Sequence, residues 1–322
     1  MRLLFAGTPE AAIPSLAALI ASNHEVVAVL TRPDAPVGRR RRLTPSPVRV
    51  VAEAAGIPVC TDVPRGDEFV TWLRGLAIDA APVVAYGHLL RPEVLAALPF
   101  GWVNLHFSLL PAWRGAAPVQ RAIIAGDEVT GATTFLLDEG MDTGPTLGVM
   151  TESIRERDTS GDLLVRLAAA GAELLVKTLD ALEAGALSPA PQPSEGVSLA
   201  PKLLPDDAFI DFQIPAVAID RLIRGCTPAP GAWTMHPEGW RLGLGPVTPQ
   251  PDVVDLAPGE VWAGKRSVLV GTITCAVELG LVQPFGRKPM PAADWARGAV
   301  KATHYTRNLF ANHRLGQALR PD

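Results

Sequence analysis

Cysteine is scarce in this chain of 322 residues, with only Cys60, Cys226 and Cys275, far apart and without a Cys-x-x-Cys or Cys/His spacing. That pattern excludes a disulfide framework and a thiol redox pair. The six histidines, His24, His88, His106, His236, His304 and His313, are equally scattered, so no metal is predicted. Long apolar runs are missing too: none approaches the ~20 residues that a membrane helix requires. The opening MRLLFAGTPE meets Gly7 and Pro9 at once, unlike a secretory signal or an anchor, and a cytoplasmic protein is expected. There is no excess of basic charge, because 29 Lys and Arg stand against 33 Asp and Glu. A net charge of -4 argues against a general nucleic-acid binder.

Two active-site signatures are absent as well. AGTPE after the first apolar run lacks the G-x-G-x-x-G spacing of a dinucleotide site, and no Gly-x-Ser-x-Gly frames Ser108 as a nucleophile.

What is present is globular: 48% hydrophobic and 19% charged residues, in a length that favours two domains. Apolar runs (LLFAG, EVVAVLT, IPVC, PVVAYG, WVNLHF) alternate with helical patterns near 14–21, 47–55, 67–76, 92–97 and 116–125. This alternation predicts an α/β domain with a mostly parallel, doubly wound sheet. TTFLLD, TLGVMTESI and an amphipathic helix from about Asp162 to Ala184 follow. Five prolines in SPAPQPSEGVSLAPKLLPDD then mark an extended linker, 189–205, between domains at 1–188 and 206–322. Short β-like runs between Gly and Pro turns in the second part suggest a small barrel or sandwich. Residues 1–188 carry 16 basic and 21 acidic side chains and residues 206–322 carry 12 and 11, so a run of four arginines, Arg39 to Arg42, lies within the acidic part.

VNLHFSLLPAWRGAAPVQ carries the first chemical signal. In a strand, residues i and i+2 share a face, so Asn104 and His106 stand side by side where ligands approach an open α/β sheet. An amide N–H stabilises an oxyanion and an imidazole donates or relays a proton, which suits attack on a carbonyl by a substrate nucleophile. DEGMDTGP offers Asp138, Glu139 and Asp142, and Asp142 in its Gly-bounded loop is placed to orient His106 and favour its protonated form. SLLP (Ser108, Leu109, Leu110, Pro111) and YGHLL (with Gly87 and Leu90) are turns whose backbone and leucines suit a flat heterocycle. The Pro-rich loop Thr31 to Val48, with its arginines, suits a polyanion. Taken alone, the Asn-x-His pair reads more readily as a structural network, and the other motifs read equally well as ordinary turns or a solvated charge run.

Together, FAGTPE, VAYG, NLHFSLLPAWRGAAPVQ, DEGMDTGP, LAPKL, RGCTPAPGAW and ADWARG resemble the methionyl-tRNA formyltransferase family over essentially the whole length. The resemblance implies a Rossmann-like formyltransferase domain, a linker and a C-terminal OB-like β-barrel that binds tRNA. It implies transfer of the formyl group of 10-formyltetrahydrofolate to the α-amine of initiator methionyl-tRNA for translation initiation, by a monomer without a metal. Asn104, His106 and Asp142 take the catalytic positions, with Asn104 and a protonated His106 expected to stabilise the oxyanion. Ser108, Leu109, Leu110 and Pro111, with Gly87 and Leu90, fall to folate, and Arg39, Arg40, Arg41, Arg42 and Arg114 to tRNA. Phe107, Ala112 and Ala229 depart from residues that many relatives carry. A formyl hydrolase or a formyltransferase for a sugar amine would share the three polar residues without needing the arginine loop. An RNA-binding module would need the loop but not the three residues.

Overall fold

The computed structural model describes residues 1–37, 42–236, 238–299 and 306–308. It divides by packing into two units, one of residues 1–118, 128–154 and 163–201 and one of residues 119–127, 155–162 and 202–322. The segment from 189 to 201 thus packs as part of the first unit.

The first unit is built on a seven-stranded sheet. Its strands are β1 (Arg2–Gly7), β2 (Glu25–Leu30), β5 (Val59–Cys60), β6 (Ala81–Val84), β7 (Trp102–His106), β8 (Val129–Leu136) and β9 (Thr146–Ser153). They lie in the order β5-β2-β1-β6-β7-β8-β9. Pairing is parallel from β5 to β7 and antiparallel at β7–β8 and β8–β9. The helices are α1 (Ile13–Ile20), α2 (Pro47–Ala54), α3 (Gly66–Gly75), α4 (Pro92–Leu95) and most of α6 (Ser160–Glu183). Local chemistry sets their ends: Ser46 accepts the Arg49 amide at 3.0 Å as the N-cap of α2, with Pro47 just inside, a cap worth about 1 kcal/mol.

Burial explains the near-continuous apolar strands. Leu4, Leu30, Leu73 and Trp102 are buried in one cluster, where the Trp102 indole donates to the Val94 carbonyl at 2.9 Å. α6 lies close against the strands: a Cβ added to Gly171 would stand 3.0 Å from Leu105, and the Thr178 and Thr134 hydroxyls bond at 2.9 Å. Leu105 therefore serves the core, and alternation leaves Asn104 and His106 to the other face.

Within the segment 31–48, where the sequence predicts only a loop, β3 (Ala35–Val37) and β4 (Arg42–Thr44) pair as an antiparallel hairpin. Three residues per strand are too few to show a period of two in the sequence.

The second unit holds α5 (Pro118–Ala125, from Val119 on), α7 (Ala216–Gly225), α8 (Ala292–Ala299) and two antiparallel sheets. One sheet orders β10 (Trp233–Met235), β11 (Arg241–Leu244), β16 (Leu281–Pro284) and β17 (Met290–Pro291). The other orders β12 (Val247–Gln250), β15 (Ala276–Leu279), β14 (Val268–Val270), β13 (Glu260–Ala263) and β18 (Thr306–Asn308). Ile219 and Ile223 of α7 join Val261, Val268, Val277, Val282 and Trp295 in its core. The fold class expected from the sequence is the one observed: a Rossmann-like α/β unit with a mostly parallel sheet, then a small antiparallel β unit. No helix among the described residues is long and apolar enough to cross a membrane.

Candidate active site

Beyond the carboxyl ends of β6 and β7 the first unit opens a cleft of 710 Å³. Val83, Tyr86, Leu90, Leu95 and Leu137 give it apolar walls, and Asn104, His106 and Asp142 bring polar groups into it. That size and that ratio of apolar to polar lining are typical of a small-molecule site.

His106 is 6% exposed and its ring is held from two sides. Nε2 lies 2.9 Å from the Trp113 carbonyl oxygen, which only accepts, so Nε2 carries the hydrogen and Nδ1 keeps the lone pair in the neutral ring. Asp142 Oδ2 stands 3.7 Å from Nδ1 and already accepts the Gly115 amide at 2.7 Å. Burial lowers the pKa of His106 below the usual histidine value, outweighing the Asp142 charge and the Trp113 hydrogen bond, which both push it up. Near neutral pH the resting ring is therefore neutral, because desolvation of the imidazolium wins over the Asp142 charge that favours the protonated form. The Asn104 side-chain amide has no protein hydrogen-bond partner among the described residues.

The backbone around these side chains is strained. Four non-glycine residues among those described adopt left-handed φ angles, and three of them adjoin the site: Ala85 at 48°, Trp113 at 63° and Asp142 at 52°. Such conformations persist only where surrounding contacts over-determine them, and they cluster at functional sites. Gly115 has a φ of 126°, and a Cβ there would meet the Ala200 carbonyl oxygen at 2.7 Å. Only glycine lets that backbone offer its amide to Asp142.

Comparison with known proteins bears on the chain as a whole. The "Formyl transferase" family model matches residues 1–179, and the "Formyl transferase, C-terminal domain" model matches residues 202–300. Methionyl-tRNA formyltransferase of Thermobifida fusca is 63% identical over 300 residues, covering 93% of this chain and 96% of its own. The chain belongs to the methionyl-tRNA formyltransferase family. The enzyme of the same name from Streptomyces griseus is 61% identical over 94% of this chain and 98% of its own. Among solved structures, HypX from Aquifex aeolicus in complex with tetrahydrofolic acid shares the fold, with a TM-score of 0.65 at 19% identity over 93% of this chain. The chain spans about half of HypX, 47% of its length.

The structure brings together Asn104, His106, Asp142, Gly87 and Leu90, which all line the cleft. It does not bring Ser108, Leu109, Leu110 or Pro111 into that lining. Ser108 is fully buried and donates to the Ala112 carbonyl at 2.6 Å, while its own carbonyl accepts from Thr133 at 2.7 Å. A side chain so engaged shapes the turn after β7 and does not face the cleft. Arg114 is half-buried, with Nε and Nη2 donating to Gln192 Oε1 at 3.0 and 2.6 Å. Arg42 is exposed on β4, while Arg39, Arg40 and Arg41 lie outside the described residues.

Sequence reasoning missed the backbone groups, the Trp113 carbonyl and the Gly115 amide, because no side-chain pattern announces them. The Arg-Gly pair after Trp113 was the available signal, as glycine marks a position of special φ.

Proposed function

We propose that the chain transfers the formyl group of 10-formyltetrahydrofolate to the α-amine of initiator methionyl-tRNA, with Asn104, His106 and Asp142 performing the chemistry. The observation that carries this reading is the unpartnered Asn104 amide beside a neutral, buried His106 whose Nδ1 faces Asp142 at 3.7 Å.

The donor supplies an electrophilic formyl carbon, and a flat heterocycle suits the walls made by Tyr86, Gly87 and Leu90. Asn104 donates to the oxygen that gains charge as the amine nitrogen bonds to that carbon. His106 Nδ1 takes the proton lost by the amine, and the resulting imidazolium sits beside the Asp142 carboxylate, the one state in which that pair attracts. His106 then returns the proton to the departing folate nitrogen as its bond to the formyl carbon breaks. Trp113 and Gly115 keep the tautomer and the carboxylate aimed throughout.

For the acceptor, the arginine run Arg39 to Arg42 and Arg114 supply positive charge suited to phosphates. Residues 206–322 serve the same tRNA as a second, OB-like binding domain, and residues 1–188 the chemistry. Incubation with 10-formyltetrahydrofolate and either charged initiator tRNA or free amines, sugar amines included, tests the reading. Formylation of the charged tRNA is expected; hydrolysis alone, transfer only to a free amine, or binding without transfer each contradicts it. Changing Arg39 to Arg42 to alanine is expected to weaken tRNA binding, flatten its salt dependence and leave folate binding intact. Titration at two ionic strengths checks this.

A further inference from the structure

The Pro-rich segment between the domains reads in sequence as a connector, yet between Ala190 and Ala200 its contacts go to the two loops that build the site. Ala190 and Thr146 exchange backbone hydrogen bonds at 2.8 and 2.9 Å. Ser198 accepts the Trp113 amide on its hydroxyl at 2.9 Å and the Arg114 amide on its carbonyl at 2.9 Å. Ala200 donates to the Arg114 carbonyl at 2.7 Å and accepts from Ala117 at 3.0 Å.

One side chain in this segment touches both loops. The Gln192 amide nitrogen donates to the carbonyls of Asp142 and Gly144, each at 2.8 Å, and its oxygen accepts twice from the Arg114 guanidinium. Asp142 and Trp113, the two left-handed residues that fix the carboxylate and the His106 tautomer, lie at or next to these attachment points. Strained backbone of this kind relaxes when its restraints are removed. A primary amide is the one side-chain group that donates twice and accepts twice at a single site; glutamate loses both donations and alanine loses all four bonds.

We infer that Gln192 is a positioning residue for formyl transfer, stapling the Asp142 loop to the Trp113–Gly115 loop so that Asp142 Oδ2 and His106 Nδ1 face each other. This rests on the roles given to Asp142 and His106 above. Gln192 is half-buried at the surface of the first unit, so its replacement leaves the core in place.

The test is a double-mutant cycle on the full chain with 10-formyltetrahydrofolate and charged tRNA. Gln192→Ala is expected to lower kcat about 10- to 100-fold, the usual result of misplacing a catalytic group by about 1 Å, with the folate KM little changed. Gln192→Glu, which keeps the Arg114 contact but cannot hold the two carbonyls, is expected to fall in the same range. Added to Asp142→Asn, Gln192→Ala is expected to cost little more, because the group it aims is already disabled. Thermal unfolding shows that each variant is folded. Normal kcat in both Gln192 variants, or losses that multiply in the double variant, overturns the inference. If Asp142→Asn itself turns over normally, the catalytic assignment fails and this inference with it.

Discussion

Two ionisable pairs among the described residues, both in protected surroundings, are built in opposite ways. In the second unit, Asp220 and Arg224 lie one turn apart on α7, bonded at 2.8 Å with both side chains 9% exposed. Arg224 also donates to the Asp158 carbonyl at 3.0 Å. That pair is closed, charged and satisfied. In the first unit, His106 and Asp142 stand 3.7 Å apart, one member neutral at rest, on backbone that includes left-handed residues. A buried ion pair recovers its desolvation cost only when geometry and hydrogen bonds are complete, as they are at Asp220. The open pair is left incomplete until a proton arrives, which is what the proton relay proposed for it requires.

The largest expected break is chemical. Asn104→Ala should lower turnover about 10²–10³-fold, the usual cost of losing one oxyanion donor, while folate affinity changes little. Steady-state kinetics with an independent folate titration measures both. Arg224→Ala should cost about 2 kcal/mol of stability by removing the close charged hydrogen bond to Asp220, which keeps only Arg157 at 3.5 Å, read in a urea titration. Smallest is the effect of Asp142→Asn on stability, at most about 1 kcal/mol, since the asparagine oxygen can still accept from Gly115 and a neutral His106 gives up no ion pair. A large stability loss there would erase the contrast between the two pairs.

Much of the fold was legible, because parallel strands buried on both faces leave continuous apolar runs and α6 shows its stripe of leucines over 24 residues. The hairpin of β3 and β4 and the two-residue β17 were not, since elements of two or three residues carry no period. At the site, the strand alternation that places Asn104 beside His106 could be read directly, and Asp142 could be read from its Gly-bounded loop. The protonation state of His106 could not, because it depends on how much water the fold removes from the ring, and the charge of Asp142 alone suggests the opposite sign. The engagement of Ser108 could not be read either, for a related reason: only the folded turn brings the Ala112 carbonyl within 2.6 Å of its hydroxyl. Gln192 was hidden between Pro191 and Pro193, where its partners lie about fifty residues and more up the chain.

The neutral resting state of His106 is the claim on which the proton path depends. Its folded pKa lies below the ordinary value of 6.5, so the fold gains nothing from this group above that pH and loses stability as pH falls from there through the folded value. Catalysis by the neutral ring follows the same sign. The direct measurement is the pH dependence of the single-turnover rate of formyl transfer, compared with that of His106→Ala, over the range in which unfolding spectra show the chain intact. The expected rate is level near neutrality and falls on the acid side with an apparent pKa below 6.5, a limb missing from the His106→Ala variant. A rate that instead rises as the pH drops below 6.5 would mean that the imidazolium is the active form, and would contradict it.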